Sequence, residues 1–106
     1  MSLEAPLRVT VEIRLLDGPA AGQRRFRLCH HVELPPTLTF ESGLPLEGEG
    51  RGEVSFRLPG GTPVQARALL RFDPGHPERG SEAALLDLAP DLLQTLEGYI
   101  TDFLRG

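Results

Sequence analysis

The sequence predicts a mainly β fold, a six-stranded antiparallel β-barrel followed by one C-terminal amphipathic α-helix. Three observations carry that expectation. Apolar and polar residues alternate at period two in several runs between Leu7 and Phe72, the mark of strands with one buried face. Breaks rich in Gly and Pro separate the runs at residues 17–22, 35–36, 59–62 and 73–80. Proline cannot donate to a ladder and glycine readily turns the chain, so each break ends a strand. Beyond Pro90 the apolar spacing changes to three and four, which gathers apolar side chains on one helical face.

Taken in order, residues 1–6 read as a short lead-in. Leu7, Val9, Val11, Ile13 and Leu15 then alternate with Arg8, Thr10, Glu12 and Arg14, the cleanest strand signal in the chain. Residues 24–34 alternate again, with Phe26, Leu28, His30, Val32 and Leu34 expected on one face and Arg25, Arg27, Cys29, His31 and Glu33 on the other. Leu38 and Phe40 mark a third strand. The acidic stretch 47–53 reads as a solvated loop, after which Val54, Phe56 and Leu58 alternate with Glu53, Ser55 and Arg57. A Pro59-Gly60-Gly61-Thr62 turn leads into Val64, Ala66, Ala68, Leu70 and Phe72, so these two runs form a hairpin. Residues 82–88 are expected to supply the sixth strand, although their alanines and leucines also suit a helix.

The closing helix is expected over about residues 90–104, after a barrel over about 7–88. Pro90 suits a first helical position and Asp91 the positive end of the helix dipole. Leu92, Leu93, Leu96, Tyr99, Ile100, Phe103 and Leu104 share a broad face that would lie on the barrel as a lid. Gly98 opposes the helix by about 1 kcal/mol relative to alanine. A chain of 106 residues, 40% hydrophobic, holds one core and not two, so residues 1–106 read as a single domain.

Composition narrows the function. All 11 basic residues are arginine, set against 15 acidic ones for a formal charge of −4, which argues against binding nucleic acid by charge. An oligonucleotide-binding barrel is disfavoured further by the lack of Trp and of an evident stacking platform. No apolar run is long enough to insert in a membrane and no leader pattern opens the chain, so a cytoplasmic location is expected. Cys29 stands alone, which excludes an internal disulfide and leaves a packed or half-buried thiol as its expected role. His30 and His31 should point to opposite sides of a strand, and His76 lies in a separate loop, so no metal site is expected. Nothing resembles a nucleophile elbow, a phosphate loop or a carboxylate pair, and no catalytic residue is expected.

The runs LTFESGLPLEGEGRGEVSFRLPGG, VQARALLRF and GSEAALLDLAPDLLQTLEGYI resemble, in order and spacing, the second half of a PilZ domain. The likeness covers roughly Arg8 to Ile100. It implies a six-stranded barrel and, for most members of that family, a receptor for cyclic di-GMP. The family's ligand motifs are where this chain departs. In R-x-x-x-R before the first strand, the second arginine matches Arg8, but the first falls on Glu4, whose carboxylate would repel phosphate. In [DN]-x-S-x-x-G the three positions fall on Val32, Leu34 and Thr37, and none keeps the required chemistry.

With one of five ligand positions kept, the resemblance implies a degenerate member without cofactor: an adaptor for a protein partner in type IV pilus motility or second-messenger signalling. Leu44, Leu46 and Leu69 are candidates for an exposed partner-binding patch. Phe103 and Leu104, at the end of the helix, could support a homo-oligomer. The alternative is a cyclic di-GMP receptor with an altered site built from Arg8, Arg24, Arg25 and Arg27, whose planar guanidinium groups suit phosphate.

Overall fold

The first alternating run forms a strand longer than its cleanest stretch, and the barrel is built outward from it. In the computed structural model, which describes residues 3–44, 46 and 48–106, β1 spans Leu3–Leu15 and β2 Arg24–Leu34. They are followed by β3, Thr37–Phe40; β4, Gly48–Arg57; β5, Pro63–Phe72; and β6, Ser81–Leu85. Every pairing is antiparallel, in the order β1-β2-β3-β6-β5-β4, and the barrel closes where β4 returns to β1. Helix α1, Pro90–Leu104, completes the mainly β fold expected from the pattern. Among the described residues no helix is long and apolar enough to cross a membrane.

Alternation puts the core where the sequence placed it in β1, β4 and β5. Leu7, Val11, Ile13, Val54, Ala68 and Leu70 are fully buried and meet Leu38, Phe40 and Ala83 from β3 and β6. Helix α1 adds Leu96 and Ile100 and packs on β1 and β2. Its Tyr99 hydroxyl donates to the Pro6 carbonyl at 2.7 Å. The outer end of its apolar face overhangs, leaving Phe103 and Leu104 exposed. Buried polar chemistry is satisfied: Ser81 Oγ donates to the Ser42 carbonyl at 2.7 Å, and among the described residues no buried side-chain polar atom lacks a partner.

Four boundaries or faces differ from expectation. Leu3 to Pro6 belong to β1 and pair with β2 instead of forming a lead-in. Met1 and Ser2, the rest of that lead-in, lie outside the described residues. Gly48 to Glu53, expected as a loop, open β4, because β5 offers a continuous partner from Gly48↔Phe72 to Arg57↔Pro63; Glu47 lies outside the described residues. Three glycines in this stretch lower strand propensity, but Gly52 is needed there, since a Cβ would lie 2.6 Å from Leu70 Cδ1 and 3.0 Å from the Arg14 carbonyl oxygen. The sixth run is a strand, yet it ends at Leu85, where Leu86 N–H donates to Arg67 O and Asp87 caps Arg67 N–H.

The largest difference is in β2, whose first half presents the opposite face. Phe26 is 63% exposed and Leu28 is also exposed, whereas Cys29 is fully buried. The ladder to β3 steps from Cys29↔Phe40 to His31↔Thr39, so His30 is an extra residue on β2. One inserted residue exchanges the two faces of a strand, and past the bulge Val32 points inward as expected. At the same level β1 bulges toward β2, between Pro6↔His31 and Val9↔Cys29.

Candidate functional site

Of the five ligand positions that the resemblance to PilZ domains implies, Arg8 alone carries a basic side chain. Val32 is wholly buried, Leu34 is half-buried against the core, and Thr37 Oγ donates to the Pro35 carbonyl at 3.0 Å. Glu4 is exposed on β1, its carboxylate 3.5 Å from His31 Nε2. Arg8, the one retained residue, directs Nη2 to Glu41 Oε1 at 3.1 Å. A carboxylate at that distance takes one of the Arg8 donors and competes with a phosphate for the guanidinium.

Of the other arginines in the altered-site alternative, Arg24 lies farthest along the ladder from Arg8, and Arg27 pairs with Val11. Arg24 pairs with Arg14 at the far end of the β1–β2 ladder, so at about 3.3 Å per residue it stands roughly 20 Å from Arg8. Its Nε faces Glu12 Oε1 at 3.5 Å. Arg25 donates to Arg24 O and Gln23 Oε1, and Arg27 Nε donates to Gly43 O at 3.0 Å. Arg24 is on the face opposite to Arg25 and Arg27, since neighbours in a strand point to opposite sides.

Leu44 is only 4% exposed and belongs to the core, and Leu46 and Leu69 are half-buried. The exposed patch expected at these leucines is therefore not present as such. Leu44 and Leu46 instead floor an open cleft of ≈ 580 Å³ with Phe72, rimmed by Asp17, Glu49 and Arg51. Arg51 grips Asp17 through its backbone N–H at 3.0 Å and through Nε and Nη2, each at 3.1 Å. These hydrogen bonds hold the Asp17 carboxyl below its ordinary value.

Besides Phe103 and Leu104 on α1, exposed apolar side chains lie on β2 beside β1, at Phe26 and Leu28. Register places Phe26 across from Glu12 and Leu28 across from Thr10, and Glu12 in turn across from Ser55 on β4. A groove of ≈ 510 Å³ runs over this face, lined by Val9, Thr10, Phe26, Phe56, Arg57 and Pro63 among others. The sequence carried no signal for it, because the His30 bulge that turns Phe26 outward is a property of pairing with β3.

Cys29, in the middle of β2, is fully buried. Burial pushes its thiol up, and Sγ donates to the His31 carbonyl at 3.3 Å. At the bulge the His30 and His31 rings have a centroid separation of 6.4 Å and are tilted by 38°. Among the described residues no three His, Cys, Asp or Glu side chains group to hold a metal ion. Comparison with protein-family models, with curated proteins and with solved structures found no match to the chain.

Proposed function

We propose that this chain is a non-catalytic PilZ-like adaptor that binds a protein partner in type IV pilus motility or second-messenger signalling, without binding cyclic di-GMP. The observation that supports it most is the outward placement of Phe26 beside Leu28. Aromatic side chains are enriched at the centres of protein interfaces, where their burial contributes most of the affinity. Support for the missing ligand comes from Arg8 and Arg24, each engaged by a carboxylate and far apart.

Two experiments test the proposal. Calorimetric titration with cyclic di-GMP to a few hundred micromolar is expected to give no heat and no shift in melting temperature, since a ligand that binds only the folded state must stabilise it. Saturable binding would overturn the ligand-free part. For the adaptor part, the protein is expected to capture a purified pilus-assembly ATPase or a degenerate cyclic di-GMP-signalling protein, and Phe26→Ser to lose that capture while melting normally. Equal capture by Phe26→Ser would remove this face from the account.

A further inference from the structure

One of the partly paired ladders of the barrel joins its first strand to its fourth. β1 and β4 pair only from Glu12↔Ser55 to Leu15↔Gly52. Beyond Glu12 the two strands diverge, and the groove lined by Val9, Thr10, Phe56 and Arg57 opens between them.

The direction of the backbone groups follows from the hydrogen bonds at the closed end. Leu15 exchanges bonds with the β2 side, through Gln23 O and Gly22 N–H, while Leu16 N–H donates to Arg51 O of β4. Odd residues of β1 up to the bulge therefore face β2, and even residues face β4. Thr10, opposite Leu28 in a pair that does not exchange hydrogen bonds, sends its N–H and C=O into the opening. On the other side Leu58 N–H donates to Thr62 O of the hairpin partner, so even residues of β4 face β5 and Arg57 faces the opening. Two strand edges thus confront one another across a groove, each with unpaired main-chain groups. The Tyr99 hydroxyl of helix α1 donates to the Pro6 carbonyl of β1.

We propose that this open seam receives an extended segment of the protein partner, with acidic residues alternating with apolar ones, as an added strand along β1; this deepens the adaptor reading and rests on it. The main-chain groups of Thr10 on one edge and of Arg57 on the other can be matched by an extended backbone, as in other edge-strand complexes. A strand laid there turns alternate side chains inward to Val9 and Phe56 and the rest outward. The outward ones meet Arg57, which among the described residues donates to Gly61 O at 3.1 Å and meets no carboxylate. Beside the Arg8–Glu41 pair, the outer face around the seam carries Arg14, Arg24 and Arg57 against Glu12 and Glu53. It is locally positive on a chain of net charge −4, which favours an acidic occupant and its encounter rate.

The test is fluorescence anisotropy with a labelled peptide of alternating glutamate and valine, seven residues long, at low salt. Saturable binding is expected, weakened about tenfold or more by Thr10→Pro and by N-methylation of alternate peptide residues, each of which removes main-chain hydrogen bonds. Proline is tolerated where an edge N–H faces solvent, and circular dichroism with thermal melting checks the fold. Should Thr10→Pro fail to fold, the N-methylated peptide and Arg57→Glu, expected to weaken binding several-fold, decide the matter.

No saturable binding, or binding indifferent to Thr10→Pro and to N-methylation, overturns the proposal. So does a dimer in sedimentation that Thr10→Pro dissociates, because the seam then belongs to a second copy. Capture of the pilus-assembly ATPase by the wild type and equally by Thr10→Pro would remove the seam and leave the adaptor. Peptide binding with no capture of any partner would do the reverse.

Discussion

Strand β4 has two neighbours and treats them differently. Toward β5 it is paired along its full length, from Gly48↔Phe72 to Arg57↔Pro63; toward β1 it is paired only from Gly52 to Ser55. The hairpin side is fixed by a tight turn, by alternating apolar residues and by Gly52 admitting the Leu70 side chain. The seam side is fixed at one end by the Asp17–Arg51 grip and then left to diverge. The same strand is therefore held along its whole length on one side and over four residues on the other.

Substitutions should separate the two sides, and the largest effects belong to the paired wall. Leu70→Ala empties a fully buried position and is expected to cost about 2–5 kcal/mol in denaturant unfolding. Thr10→Ala at the seam should stay within about 0.5 kcal/mol, as exposed positions do. Equal losses at the two would break the comparison. Gly80→Ala comes next: its φ is 66° and a Cβ would overlap the Phe40 carbonyl oxygen. A loss of about 3 kcal/mol is expected, at the strand β6 that closes the paired wall. Gly98→Ala acts in the other direction. Nothing lies within 4 Å of its added Cβ, so thermal unfolding should show a gain of about 1 kcal/mol for α1 without altering the seam.

A smaller effect concerns acid. Asp17 is held down first by its hydrogen bonds to the Arg51 side chain, and Asp87 likewise by Arg67, below the ordinary 3.8 of an unfolded carboxyl. The folded value lies beneath the unfolded one, so the contribution is full above 3.8 and is lost as pH falls through the lower folded value. Melting temperature should decline at the acid end of a series from about pH 6 to about pH 2.5, and Asp17→Asn should flatten part of that decline. A decline unchanged by Asp17→Asn would mean that the grip at the closed end of the seam contributes nothing to stability.

Much of this architecture is legible in residue order. The alternation of Leu7 to Leu15 and of Val64 to Phe72, the turn at Pro59-Gly60-Gly61-Thr62 and the period change after Pro90 each become the expected element. What is not legible depends on partners far away in the chain. Gly48 to Glu53 look like a loop until β5 pairs with them. Phe26 looks buried until β3 imposes an extra residue at His30, and Leu44 looks available until the β3–β4 connection folds it into the core. Local pattern decides which face a residue takes relative to its strand neighbours. It does not decide which face is inside once a bulge intervenes.

The most direct measurement of the central claim is native-state hydrogen exchange resolved to single amides by NMR. The account predicts that the Thr10 and Arg57 amides exchange with little protection, while those of Gly52, Val54 and Leu70 exchange only at the rate of global unfolding. Protection of Thr10 and Arg57 equal to that of the β4–β5 ladder would mean that the seam is closed, and both the open wall and the strand proposed to fill it would fall.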